Sequence, residues 1–388
     1  MDQVKLKYLC TSYSTPITQD QINKNGQYKV YGASGLVGYL PNEGCKTTYL
    51  GIVKDGAGVG RINAYEAGSY LLGTMAYIIP NSGVNIKWLK YAIMSLDLGK
   101  SISKTTIPHI YFSEYSNRKV GWSSLDTQAR IADFLDYKCD EIDSVIAITQ
   151  KTIEEYKALK QSIITEVVTK GIRGDRPMKD SGIEWIGDIP AEWDVVRIKN
   201  LFDYRNERNF KPLEEVNLIS LYTDKGVVQH CDLDETTGNK ASNADGYKLV
   251  YENDIVVNII LCWMGAIGRS AYFGVTSPAY DVYSPKQKTN SKFYHYLFRT
   301  NGFSGDCYKV GRGIMAMRWR TYSDQFRAIK VVSPPQSEQE EIVEYLDEKC
   351  EGIDDLIAKK QQYLTEIENY KKSLIYEYVT GKKEVHPL

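Results

Sequence analysis

The stretch TQARIADFLDYKCDEIDSVIAITQKTIEEYKALKQSIITEVVT (127–169) returns as EQEEIVEYLDEKCEGIDDLIAKKQQYLTEIENYKKSLIYEYVT (338–380), without a gap and at a constant shift of 211 residues (338 against 127). Gln128, Ile131, Leu135, Asp136, Lys138, Cys139, Ile142, Asp143 and Lys160 recur as Gln339, Ile342, Leu346, Asp347, Lys349, Cys350, Ile353, Asp354 and Lys371. Similarity of this length points to duplication within the chain. Neither copy contains proline, and Gly352 is the one glycine inside either. The first copy places Ile131, Leu135, Ile142, Val145, Ile153, Tyr156 and Ile163 at steps of three, four, seven and eight. The second does so with Ile342, Leu346, Ile353, Leu356, Leu364, Ile367 and Leu374. Such spacing predicts one apolar stripe down a long helix in each copy. The steps of eight lengthen the period towards 11 residues, which predicts a nearly straight pair of helices. Ser337 and Glu340, following Pro334-Pro335, predict a capping box at the second start. Gly171 and Gly381 are the expected stops. A helix of 43 residues is about 65 Å long. A seam so narrow requires a partner, and the duplicate running antiparallel supplies it.

Outward from the helices the repeat continues more faintly. Val4-Lys5-Leu6-Lys7 resembles Val196-Arg197-Ile198-Lys199, and Val59-Gly60-Arg61 resembles Ile267-Gly268-Arg269. Both preceding segments carry short β-branched runs with Gly and Tyr, which predicts mixed α+β globules. The expected order is a globule over 1–120, a spacer helix over 121–172, a linker over 173–195, a second globule over 196–333 and a second helix over 334–388. The fold class is α+β: two small mixed α/β domains joined by two long antiparallel helices, a coiled-coil-like spacer with a pseudo-two-fold internal repeat.

The whole chain has 388 residues, 43% hydrophobic and 25% charged, an ordinary globular balance. Its most apolar run, Ile255 to Ile267, is shorter than the roughly 20 residues that span a bilayer, so no membrane is expected. MDQVKLKYLC (1–10) lacks the apolar core of a signal peptide. Seven scattered cysteines predict reduced thiols in a cytoplasmic protein, and four dispersed histidines predict no metal centre. The net charge of −1 hides alternating blocks: +6 over 1–120, −3 over 121–172, −3 over 173–195, +5 over 196–333 and −6 over 334–388. Two basic globules on an acidic rod suit a polyanion with two half-sites.

These residues resemble the specificity subunit of type I restriction–modification enzymes. SGIEWIGDIPAEWDVVRIKNLF (181–202) is similar to the junction before a target recognition domain of that family. SPPQSEQEEIVEYLDEKCEGIDDLI (333–357) is similar to its helical region, and SSLDTQARIADFLDYKCDEIDSVI (123–146) to a divergent copy. NIILCWMGAIGRSAYFGVTSPAYDVYSP (258–285) is similar to one class of its recognition domain. The first half departs from the family pattern in having no counterpart of GIEWIGDIPAEW (182–193), which bears on the anchoring of the first globule and not on the overall resemblance. The resemblance implies a non-catalytic reader of double-stranded DNA, in which each globule recognises half of a bipartite site and the helices act as a ruler. It implies as partners two modification (methyltransferase) subunits and the restriction subunits, an ATP-dependent translocase and endonuclease. It places S-adenosylmethionine, ATP and magnesium on those partners and none on this chain.

For DNA contact the densest basic and aromatic stretch is KVGRGIMAMRWR (309–320), with Lys309, Arg312, Arg318 and Arg320. Its glycines allow close backbone approach to phosphate, and arginine can bond guanine bidentately. GKSISKTTIPH (99–109) is the counterpart, with Lys100, Lys104 and His109. Arg205 and Arg208 in DYRNERNFK (203–211), Arg61 and Arg269 after their Gly turns, Lys54 and Arg118 complete the set. A second reading is a stand-alone DNA methyltransferase or nuclease with helical dimerisation arms. Its signals are weak. KDGAGVG (54–60) lacks the acidic partner of a cofactor loop, and neither Ser333-Pro334-Pro335-Gln336 nor Ser277-Pro278-Ala279-Tyr280 meets the Asn/Asp-Pro-Pro-aromatic pattern. No catalytic residue is expected.

Overall fold

The computed structural model describes residues 1–56, 58–96, 98–101, 108–230, 243–313 and 319–385. The chain divides into two compact units, one of residues 1–152 with 360–388 and the other of residues 153–359. Each unit therefore holds one globule and a portion of both long helices.

The same sheet is built twice. In the first unit four antiparallel strands run in the order Cys10–Ser14, Met75–Pro80, Tyr49–Val53, Ile62–Tyr65. In the second the order is Phe202–Arg205, Tyr280–Pro285, Ile255–Asn258, Ile267–Arg269. The strand Asp2–Lys5 pairs with Lys119–Trp122 just before the first long helix, and Asp194–Arg197 pairs with Lys330–Ser333 just before the second. The central strands Tyr49–Val53 and Ile255–Asn258 are buried at every residue, because both faces of the sheet are covered.

The long helices span Leu125–Lys170 and Gln336–Val379. Within the first unit they run antiparallel, since Phe134 packs on Tyr378 and Asp143 pairs with Lys371. Within the second unit the same holds: Lys160 pairs with Asp354 and Arg173 with Glu341. The two Lys–Asp bridges, each 2.6 Å long, are repeats of one another.

Repeated side chains fasten each helix to its globule. Gln128, wholly buried, donates from Nε2 to the Ser123 carbonyl and accepts the Asn85 N–H on Oε1. Gln339 makes the same two bonds to Pro334 and Asn290. Asn85 and Asn290 in turn cap the helices Ile86–Met94 and Ser291–Phe298. One turn further, Tyr91 donates to Asp136 and Tyr296 to Asp347, both at 2.7 Å. Cys139 and Cys350 are buried beside these bonds as small core residues.

Three sequence expectations about the helices need correction. Val145 and Leu356 are exposed, at 37% and 43%. The inward positions are their neighbours Ile146 and Ile357, followed by Thr149 and Lys360. The seam thus reads 139, 142, 146, 149, 153, 156, 160, 163, 167 and recurs at 350, 353, 357, 360, 364, 367, 371, 374, 378. This alternation of threes and fours is a 3.5-residue repeat, in place of the period lengthening towards 11 that the sequence suggested. The periodicity misled because the seam carries a threonine and lysines at inward positions. The expected capping box is also absent: Ser337 lies inside the helix, and the Pro335 carbonyl accepts from Glu338 and Gln339. Gly171 (φ +73°) and Gly381 (φ +74°) follow the helix ends as expected, in the left-handed region that glycine tolerates.

Candidate nucleic-acid interface

In the second unit the helix Asn301–Val310 delivers Lys309 to the surface, where it faces Glu184 at 3.3 Å. Past Gly311 the chain forms a narrow neck. Arg312 N–H donates to the Arg320 carbonyl at 2.8 Å, and Arg320 N–H returns the bond to Arg312 at 2.9 Å. Arg312 is exposed and Arg320 half-buried; Arg318 lies outside the described residues. Aromatic rings brace the neck. Trp319 stacks on Tyr308 with centroids 4.9 Å apart and donates from Nε1 to the Tyr308 carbonyl. Trp263 packs on the same tyrosine at 5.7 Å. Gly311 is required here, since a Cβ would collide with the Trp319 indole nitrogen. Cations beside stacked rings, on a neck that holds the backbone in place, suit phosphate and base-edge contact.

Arg205, Arg208 and Arg269 are placed differently. Arg205 donates from Nε to buried Asp254 at 2.8 Å, bridges Glu207 at 2.6 Å and lies 4.4 Å from the Tyr251 ring centre. Burial lifts the Asp254 carboxyl above its ordinary value, even with Arg205 and a backbone N–H opposing that shift. Arg208 donates to the Gly246 carbonyl and to Asn206, and Arg269 to Asn253. These guanidiniums are engaged in holding loops together.

In the first unit, Lys54 and His109 come together. Ile110 N–H donates to the Lys54 carbonyl, the backbones of Asp55 and His109 pair as an isolated antiparallel β-bridge, and the His109 ring lies 5.0 Å from Tyr111. Lys54 Nζ sits 3.5 Å from Asp55. Lys104 lies outside the described residues, as does the side chain of Lys100, whose backbone belongs to the turn Leu98–Ser101. Arg118 is half-buried in the turn before the strand Lys119–Trp122, and its carbonyl accepts from Leu6. Arg61 lines a cleft of about 790 Å³ with Leu98, Asp143 and Lys371. A cleft of about 570 Å³ in the second unit is lined at repeat-related positions by Lys160 and Asp354, together with His295 and Arg299.

Sequence reasoning missed two buried ionic groups. Lys248 and Asp281, both buried, pair at 2.8 Å beneath Tyr204. Glu338, also buried, accepts from the Trp193 indole at 2.8 Å and pairs with Arg176 at 2.6 Å, which ties the linker to the second helix. A tryptophan and an arginine in an otherwise irregular linker were the available signal. Among the described residues no group of three or more His, Cys, Asp or Glu side chains could hold a metal ion, and no helix is long and apolar enough to cross a membrane.

Residues 190–368 match the type I restriction modification DNA specificity domain. The type I restriction enzyme MjaVIII specificity subunit of Methanocaldococcus jannaschii is 26% identical over 320 residues, 77% of this chain and 71% of that protein. The chain is thus similar, over its second half and along most of its length, to specificity subunits of type I restriction–modification enzymes. The putative MjaX specificity subunit of the same organism is 27% identical over 300 residues, 74% of this chain and 62% of that one. A chain solved in work on complex assembly and conformational transition of the type I R-M system superposes with a TM-score of 0.69 over 98% of both chains. At 12% identity that likeness concerns the fold alone. The matched domain spans the neck, the 258–265 turn and most of the second helix.

Proposed function

We propose that this chain is the DNA-recognition (specificity) subunit of a type I restriction–modification complex, with the globules 1–120 and 196–333 each reading one half of a bipartite site. The observation that carries this reading is the duplicated unit. Each copy has the same sheet, the same helix fastening and a basic, aromatic edge, in the neck at Arg312–Arg320 and beside Lys54 and His109. A repeated reader on paired helices suits a split site with a set gap.

In this reading the chain is non-catalytic and cytoplasmic, and the helices set the gap and dock partners. Repeat-related clefts flank the Lys371–Asp143 and Lys160–Asp354 bridges, and two equivalent clefts suit two modification subunits. S-adenosylmethionine, ATP and magnesium then belong to modification and restriction subunits. The stand-alone methyltransferase or nuclease finds no supporting observation. Exchanging residues 1–120 for the first globule of another specificity subunit tests the proposal by methylome sequencing. One half of the methylated consensus should change while the other stays. A change in both halves together would overturn independent readout.

A further inference from the structure

The turn between the strands Ile255–Asn258 and Ile267–Arg269 is rigid and presents aliphatic side chains to water. Asn258, buried, accepts the N–H of Ile260 at 3.0 Å and of Leu261 at 3.3 Å. Trp263 Nε1 donates to the Ile260 carbonyl at 2.9 Å, Cys262 is wholly buried, and Gly265 (φ +85°) closes the turn. Between these anchors Leu261 is 38% and Met264 53% exposed. The turn adjoins the basic neck: Thr321 N–H donates to the Ile259 carbonyl, and Trp263 packs on the tyrosine that carries Trp319.

Holding apolar side chains out on a braced turn costs hydrophobic free energy and adds nothing to the core. Through the Thr321–Ile259 bond their turn is joined to the neck that carries Arg312 and Arg320, so they lie near cations that attract a polyanion. Of the groups that base pairs offer in the major groove, donors and acceptors suit polar side chains, and only the thymine C5-methyl suits an aliphatic one. We propose that Leu261 and Met264 are specificity-determining residues that contact the C5-methyl of a thymine in the half-site read by the second unit. This rests on the DNA-recognition reading above.

The test uses the full chain. A bipartite site is first selected from random duplex DNA, and thymines of one half at a time are then replaced by uracil, which lacks the methyl. In the half assigned to residues 196–333, uracil should weaken binding about fourfold per contacted methyl. Leu261→Ala/Met264→Ala should bind thymine and uracil duplexes equally, whereas Met264→Leu should keep the preference. Thermal melting of each variant confirms that the exposed substitutions leave the fold intact. A half-site with no A·T pair, equal wild-type binding to both duplexes, or a preference that survives the double substitution would each overturn the inference. A DNA bend lost in the double variant without a thymine preference would overturn it in favour of a base-step wedge. Selection of no sequence at all would instead sink the DNA-recognition reading itself.

Discussion

Arginines that look alike in sequence do different work at the scale of single residues. Arg312 reaches solvent from a backbone-paired neck, whereas Arg205 neutralises a carboxylate that is 1% exposed. Arg312→Ala should therefore weaken DNA binding and lower the salt slope by about one unit, with unfolding unchanged. Arg205→Ala strands the Asp254 charge and should cost about 3 kcal/mol in urea unfolding. Equal stability of the two variants would show that Arg205 is not structural. His295 gives a pH dependence. It accepts the Arg269 N–H on Nδ1 at 3.1 Å, and burial with the cations of Arg299, Arg269 and Lys292 pushes its pKa down to about 3, against an opposing pull from Asp347. A depressed histidine favours the fold above its unfolded value near 6.5 and loses that contribution as pH falls towards 3. The stability of the second unit should fall by at most about 1.4 kcal/mol per pH unit across that window. His295→Gln should flatten the slope in a urea titration series, and an unchanged slope would assign it to other groups.

At the scale of elements, the helix pair turns on a one-residue choice. Leu356 and Ile357 are neighbours, yet 100° of helical rotation puts one in water and the other in the seam. Leu356→Ala should change stability by no more than about 0.5 kcal/mol. Ile353→Ala, at a buried seam position, should cost about 2–5 kcal/mol. Chemical denaturation of both variants checks the register, and a larger loss at Leu356 would restore the straight stripe expected from sequence. The bridges Lys160–Asp354 and Lys371–Asp143 sit on lysines that occupy inward positions, 25% and 20% exposed. Partly shielded pairs of this kind select an alignment more than they add stability.

For the whole molecule, the proposed ruler makes a quantitative prediction. Insertion of one heptad into each long helix, seven residues near Thr149 and seven near Lys360, keeps the 3.5-residue seam in phase and adds about 10 Å of rise. At 3.4 Å per base pair the gap should widen by about three base pairs, with both half-site sequences retained. The methylated consensus of cells carrying the insertion is the measurement. An active variant with an unaltered gap would mean that the helices do not set the spacing.

What the sequence by itself determined was the duplication, because Gln128, Asp136, Cys139 and Asp143 recur at one shift as Gln339, Asp347, Cys350 and Asp354, and period-based patterns survive divergence. The repeat then carried the helices, their glycine stops and the α+β class of the globules. The inward side of each helix was legible only in part, since an apolar count favours Val145 over Thr149 although packing geometry buries the threonine. The roles of the basic residues needed the tertiary structure. Whether an arginine meets a carboxylate depends on segments far apart in the chain, as with Arg205 and Asp254 or Arg176 and Glu338. Tertiary structure alone also decided that Leu261 and Met264 stand out in water. In sequence they sit in an apolar run that reads as core, and it is the Asn258 turn beneath them that holds them outside it.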